Sequence, residues 1–190
     1  MTLVTNGRLI TRDPEGQGYY EHGAVAYEGT KIVEIGEEAA LRAKYPQAEI
    51  IDAKGGVIMP ALINAHTHLP MTLMRGYGGG CDLHTWLNQY IFPAEARLDS
   101  RAVAAGAGLG LAEMIASGVT CVADMYMHTG TIAEQILEAG ISANLSCGGV
   151  YFGAPEDFSP ETCGDCRNQA ALTEEWHGAG AGQILVDASV

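Results

Sequence analysis

The chain has 190 residues, of which 47% are hydrophobic and 17% are charged, and this is the composition of a folded globular protein rather than a disordered one. A formal net charge of −13 at pH 7 argues against binding to the phosphate backbone of a nucleic acid. No apolar run approaches the ~20 residues of a membrane span, and residues 1–8 lack the order of a signal peptide. Five cysteines, an odd number without an export signal, favour reduced thiols and a cytoplasmic location.

Residues 1–56 have the pattern of a small domain made of short strands and turns. Gly29 stands between two apolar stretches, which predicts a hairpin turn. A short helix is predicted over residues 37–45, because Pro46 would stop it. The predicted strands are residues 3–7, 8–11, 24–27, 31–35 and 49–52.

The pattern changes after Gly55-Gly56, and we predict a second domain over residues 57–190. The apolar run Val57–Ile63 is typical of a strand buried on both faces. Strands and helices then alternate, which predicts a parallel sheet. The further strands are predicted at 119–123, 141–146 and 184–188, and the helices at 83–91, 100–117, 131–138 and 167–176.

Four strand–helix units are half of the eight that close a (β/α)8 TIM barrel, which usually takes ~250 residues. The fold class that we predict is therefore α/β, with residues 57–190 as the first half of such a barrel. We expect the chain to be truncated, and to need either the missing C-terminal half-barrel or another chain.

The segment Asn64-Ala65-His66-Thr67-His68 carries the strongest chemical signal. Side chains alternate along a strand, so His66 and His68 should point the same way. They lie at the carboxyl end of the first predicted parallel strand, where α/β barrels keep their active sites. Two imidazoles on one face can bind one metal at ~2.0–2.1 Å. The alternative is an ordinary pair of strand-end histidines.

Residues 56–70, with the sequence GVIMPALINAHTHLP, resemble the opening motif of the amidohydrolase superfamily. Residues 74–79, 82–87 and 91–95 resemble the branch of S-adenosylhomocysteine/5′-methylthioadenosine deaminases, guanine deaminases and triazine chlorohydrolases. The resemblance implies a metal-dependent hydrolase barrel, preceded by part of a small β-sandwich formed by residues 1–56. It also implies one Zn²⁺, or alternatively Fe²⁺, in each complete active site.

The same resemblance assigns roles to residues and implies a reaction. His66 and His68 match the first two metal ligands of the family. Its other ligands and its acid/base residues lie on later strands, so we expect no catalytic residue here beyond the two histidines. The implied reaction is attack of a metal-activated hydroxide on a ring carbon, which releases ammonia or halide. The expected substrate is a small N-heterocycle of purine type, and a homo-oligomer is expected for the complete protein.

Three further residues are candidates for substrate binding. Glu95 matches the position that contacts substrate hydroxyls in nucleoside-deaminating members of the family, and the alternative is a solvated glutamate. Trp86 is a candidate for the pocket mouth, with ordinary core packing as the favoured alternative. His128 follows the second barrel strand; it either lines the pocket or is a loop histidine that is bonded locally.

Three functions remain open at this point. The first is hydrolytic deamination of a purine-type N-heterocycle, and hydrolytic dechlorination on the same scaffold is its alternative. The second is a non-catalytic remnant that needs a partner chain. The third is a thiol or zinc module built on Cys163 and Cys166, although a structural zinc usually needs two such pairs.

Overall fold

The structure is a computed structural model that describes residues 1–149 and 153–188. The chain divides into two compact units, an N-terminal unit (Met1–Ala61) and a C-terminal unit (Leu62–Val190). The division follows Ala61 rather than Gly56, because Val57 and Ile58 pair with a strand of the N-terminal unit. Within the described ranges, no helix is long and apolar enough to span a membrane.

The N-terminal unit is one five-stranded sheet with a short helix. The predicted strands 3–7 and 8–11 form a single strand, and the predicted hairpin is present with Gly29 at φ +58°. The strands lie in the order 31–37, 19–28, 2–10 and 49–52, and the short strand 57–58 also pairs with 2–10. A small core of Leu3, Ala24, Ala26 and Leu41 joins the sheet to the helix. The elements are β1 (Thr2–Ile10), β2 (Tyr19–Glu28), β3 (Lys31–Glu37), α1 (Glu38–Lys44), β4 (Glu49–Asp52) and β5 (Val57–Ile58).

The prediction of one doubly buried strand over Val57–Ile63 is wrong. The run is divided between two sheets, because β5 ends at Ile58 and the first strand of the C-terminal unit begins at Leu62. Pro60 lies between them, and a proline cannot donate to a ladder of backbone hydrogen bonds. Nor is the run fully buried, since Ile63 is 70% exposed and Val57 is 54% exposed.

The C-terminal unit contains the predicted parallel sheet, with its four strands in sequence order. The alternation of strands and helices is therefore confirmed. The strands are β6 (Leu62–Thr67), β7 (Val119–Met125), β8 (Ser142–Ser146) and β9 (Ile184–Val186). The α-helices are α2 (Leu83–Thr85), α3 (Phe92–Glu95), α4 (Ser100–Ala116), α5 (Thr129–Ala139), α6 (Gly164–Trp176) and α7 (Ala179–Gly182). Leu69–Met74 and Pro155–Asp157 are 3₁₀-helices, and Trp86–Ile91 is a π-helix that links α2 to α3.

The core of this unit is formed by apolar side chains from the sheet and from α4, α5 and α6. Members from the strands include Val122, Leu145 and Ile184, each at most 1% exposed. Gly106 lets α4 approach the 3₁₀-helix, because a Cβ at this position would lie 2.6 Å from the carbonyl oxygen of Pro70. This close approach holds the segment that directly follows His68.

Candidate active site

Polar side chains gather at the carboxyl ends of the four parallel strands. They line a cleft of about 200 Å³, to which each strand or the residues just after it contribute. The carboxyl ends of parallel strands meet at one edge of a sheet, and α/β folds bind ligands there. The polar members that matter below are His66, His68, Asp124, Asn144 and Asp187.

His66 and His68 lie together in this cleft, as the alternation of side chains predicts. Their ring centroids are 5.0 Å apart and their planes are inclined by 81°. The Nδ1 atom of His68 is 2.6 Å from the carbonyl oxygen of Met125. Because a carbonyl can only accept, Nδ1 carries the proton and Nε2 keeps its lone pair for a metal. The neighbouring strand thus sets the tautomer in which an imidazole is a metal ligand.

The donor set that this chain offers to a metal is partial. A catalytic zinc usually takes three protein ligands and a water. Within residues 1–149 and 153–188, no group of three or more His, Cys, Asp and Glu side chains is placed to hold a metal ion. The paired imidazoles therefore fit two positions of a zinc or iron site.

Asp124 is a buried carboxylate directly behind the histidine pair, and it is only 2% exposed. Its Oδ1 accepts a hydrogen bond of 2.7 Å from the amide of Leu69, the residue after His68. Its Oδ2 is buried without a hydrogen-bond partner among the described residues. Burial raises the pKa of Asp124 to about 6, although the Leu69 amide and His68 act in the opposite direction. Asp124 thus fixes the backbone next to a candidate metal ligand.

Glu95 and Trp86 lie in the wall of a second, larger cleft of about 730 Å³ that His68 also lines. This volume is in the range of small-molecule sites. Most of the wall is apolar, with Met71, Leu87 and Phe92 among its members. Trp86 is half-buried, and its Nε1 donates to the carbonyl oxygen of Tyr77 over 3.0 Å. The structure therefore brings three of the five predicted site residues to one cleft.

His128 lies elsewhere. It directly precedes α5, and its backbone is left-handed, with φ +54°. Its Nδ1 is 3.2 Å from the hydroxyl of Ser100, and its side chain is exposed. It lines a separate cavity of about 360 Å³, next to Trp176. This geometry corresponds to the alternative of a loop histidine that is bonded locally, and a role in substrate binding stays a prediction.

Cys163 and Cys166 lie at the start of α6, Cys163 directly before the helix and Cys166 in its first turn. Both are free thiols that are partly buried. Neither belongs to a group of three metal-binding side chains in the part of the chain that the structure describes. The zinc-module hypothesis therefore gains no further ligand from the fold.

Sequence reasoning missed three residues that line the two clefts, namely Tyr126, Asn144 and Asp187. Asn144 Nδ2 donates to Asp187 Oδ2, while Asn144 Oδ1 is buried without a partner among the described residues. Asn144 and Asp187 could have been found from the sequence, because each is a polar residue inside a predicted apolar strand. Tyr126 lay one residue beyond β7, where no such contrast exists.

Comparison with known proteins identifies the family. The profile of the Amidohydrolase family matches residues 57–182, and that of the imidazolonepropionase-like composite domain of bacteria matches residues 23–48. The chain is 38% identical over 184 residues to a 5′-deoxyadenosine deaminase of Methanococcoides burtonii, which covers 97% of this chain and 40% of the relative. It is 38% identical over 174 residues to a 5-methylthioadenosine/S-adenosylhomocysteine deaminase of Syntrophobacter fumaroxidans, covering 92% and 39%.

Solved structures agree with this assignment. An adenosine deaminase from Xanthomonas campestris with bound zinc matches with a TM-score of 0.77 and 27% identity, over 98% of this chain and 42% of that one. The chain thus spans about 40% of the length of the relatives that it matches. Because the family profile covers two thirds of the sequence, the chain belongs to the amidohydrolase family.

Proposed function

We propose that this chain forms the metal-binding and ribose-binding part of a zinc-dependent hydrolase that deaminates an adenosine-type nucleoside. The observation that carries the proposal is one cleft that both His68 and Glu95 line. The names of the relatives support the substrate class, because they are deaminases of 5′-deoxyadenosine, of adenosine and of 5-methylthioadenosine or S-adenosylhomocysteine.

At the metal end, the chain would hold zinc through the imidazoles of His66 and His68, and iron is the alternative. When bound, such a metal lowers the pKa of a coordinated water, which makes hydroxide available near neutral pH. The carbonyl of Met125 holds His68 in the tautomer that binds metal. Asp124 anchors the Leu69 amide and so keeps the end of β6 in place.

At the other end, Glu95 would accept hydrogen bonds from the two vicinal hydroxyls of a ribose. A carboxylate suits this task because it only accepts and offers two oxygens. The apolar side chains of Trp86 and Phe92, in the same wall, suit the face of a purine ring. Nucleoside binding would therefore place the base toward the histidines and the sugar toward Glu95.

The test is the release of ammonia from adenosine, 5′-deoxyadenosine and guanine by zinc-loaded protein that contains this chain. Replacing His66 with alanine should abolish turnover. His84→Ala is the matched control, since that histidine lies in α2 and is exposed. Ammonia release that survives His66→Ala would contradict the proposal. Release of halide from a chlorinated ring without deamination would favour the chlorohydrolase alternative.

A further inference from the structure

Tyr126 is a buried residue of the larger cleft that the proposed function leaves without a role. It directly follows β7 and is 5% exposed. Its amide donates to the carbonyl of Ser146 over 3.2 Å, and its own carbonyl accepts from the Thr129 hydroxyl over 2.7 Å. These two bonds hold the backbone on both sides, so the ring has a fixed place in the wall that His68 and Glu95 share.

The hydroxyl of Tyr126 is buried and makes no hydrogen bond of normal geometry to any described residue. Buried polar groups are nearly always paired, and an unpaired one is costly. Burial, and after it the Glu95 carboxylate, raise the pKa of Tyr126 far above that of a free phenol. A neutral phenol can donate a hydrogen bond, and the Glu95 carboxylate, which lines the same cleft, can accept one.

The ring of Tyr126 also lies beside the metal-binding end. Its centroid is 6.3 Å from that of His68, and the two planes are inclined by 41°. The ring of Tyr126 thus lies next to a candidate metal ligand, in a cleft that Glu95 also lines. Such a side chain can set the separation between the two ends of the cleft.

We propose that Tyr126 is a positioning residue, whose hydroxyl donates to the Glu95 carboxylate in the ligand-bound cleft and holds it at a fixed distance from the His66–His68 pair. The inference rests on the proposed function and deepens it. A carboxylate held in this way would favour substrates in which the distance between the vicinal hydroxyls and the reacting ring carbon is that of a nucleoside. The residue acts through Glu95 and does not touch the reacting atoms.

The first test is kinetic and compares Tyr126→Phe with Tyr77→Phe in the zinc-loaded protein. Phenylalanine keeps the ring and removes only the hydroxyl, and Tyr77 is 51% exposed, which makes it a matched control. We expect Tyr126→Phe to raise KM for adenosine about tenfold, with kcat changed less than about twofold, because a bond to a charged group is lost away from the chemistry. KM for 2′,3′-dideoxyadenosine should not change. An unchanged KM for adenosine would overturn the proposal.

The second test needs no turnover and so separates this inference from the proposed function. The protein is labelled with tyrosine carrying ¹³C at Cζ, and the Tyr126 signal is identified by its loss in Tyr126→Phe. With adenosine bound to the metal-free protein, we expect the chemical shift of this signal to differ between the unsubstituted protein and Glu95→Gln, and to be the same in the unsubstituted protein and Tyr77→Phe. A Tyr126 signal that is the same with and without Glu95→Gln would overturn the inference, even in an active deaminase. A Tyr126 signal that changes in Glu95→Gln, in a protein whose zinc-loaded form has no deaminase activity, would instead refute the proposed function.

Discussion

The two units of this chain treat their buried polar groups in opposite ways. In the N-terminal unit the buried Thr5 accepts a hydrogen bond of 2.8 Å from the guanidinium of Arg42. In the C-terminal unit, polar atoms of Asp124, Tyr126 and Asn144 are buried without partners among the described residues. All three side chains line the two clefts that contain His68. The fourth such atom in the described part of the chain, Trp176 Nε1, lies in the separate cavity that His128 lines, so three of the four mark the clefts where a bound ligand could complete the hydrogen bonding.

Two carboxylates, Glu34 in the N-terminal unit and Asp124 in the C-terminal unit, have pKa values that are shifted in opposite directions. Hydrogen bonds from Lys44 and Tyr45 hold the pKa of Glu34 below its ordinary value in the N-terminal unit. Burial raises the pKa of Asp124 to about 6 in the C-terminal unit. Ionisation therefore favours folding at Glu34 and opposes it at Asp124, so the contributions of these two carboxylates to stability should depend on pH with opposite sign.

The largest expected effect is on metal affinity. Replacing His66 or His68 with alanine should weaken zinc binding at least about 100-fold, because loss of a ligand costs more than the 10–100-fold typical of outer-shell changes. His22→Ala, in β2 of the N-terminal unit, should leave the affinity unchanged. Isothermal titration calorimetry with zinc measures all three variants. Equal zinc affinities in all three variants would show that His66 and His68 are not metal ligands.

The next effect is the pH dependence that Asp124 confers on the metal-free chain. Its pKa is raised from the ordinary value of 3.8 to about 6 in the folded chain. Its contribution to folding stability is therefore present below pH ~4 and is lost as pH rises through 6. A shift of about two pKa units corresponds to about 3 kcal/mol. In Asp124→Asn the amide oxygen can still accept from Leu69, but the charge is gone.

Urea denaturation between pH 4 and pH 7 measures this effect. The free energy of unfolding of Asp124→Asn relative to the unsubstituted chain should rise by about 3 kcal/mol over that range. A difference that stays constant with pH would show that Asp124 is not held as a buried, destabilised carboxylate.

A smaller effect is expected for Glu95→Gln in the zinc-loaded protein. The neutral amide keeps the size of the side chain but loses the charge that strengthens bonds to ribose hydroxyls. We expect KM for adenosine to rise about tenfold, with a smaller change in kcat, because the contact lies away from the metal. Steady-state kinetics measure this, and an equal rise for a substrate without ribose would argue against a sugar contact.

The smallest effect is expected in the N-terminal unit, for Glu34→Gln. Lys44 Nζ lies 2.6 Å from Glu34, but the pair is at the surface, where ion pairs contribute little. Because the pKa of Glu34 is lowered, its contribution is present above the ordinary glutamate pKa and is lost as pH falls through the folded value. Thermal unfolding at pH 7 and pH 3 should differ slightly less in the variant. If Glu34→Gln changed the pH dependence of stability more than Asp124→Asn does, the surface carboxylate would matter more than the buried one, contrary to this prediction.

Much of the C-terminal unit could be predicted from the sequence, since periodic apolar segments and glycine stops define its strands and helices. The His66–His68 pair could also be predicted, because strand alternation fixes the direction of both side chains. The division of Val57–Ile63 could not, since apolar character does not say which sheet a strand joins. The place of His128 depends on one left-handed backbone residue, and nothing in its neighbours indicates that conformation.

The unpaired groups were the hardest part of the site to predict. Tyr126 and Asn144 are residue types that are common in ordinary strands and loops. Both have a buried polar atom without a partner among the described residues, and this is a property of the folded arrangement that no sequence pattern states. Glu95 became a candidate through its family motif, whereas Tyr126, which we propose to position it, did not.

The central claim is that the imidazoles of His66 and His68 bind the catalytic metal, and X-ray absorption at the zinc edge of zinc-loaded protein tests it most directly. The account predicts nitrogen or oxygen ligands at ~2.0–2.1 Å, a spectrum that changes in His66→Ala and His68→Ala, and no change in the double variant Cys163→Ser, Cys166→Ser. A sulfur shell at ~2.3 Å that disappears in the double cysteine variant and persists without either histidine would contradict it.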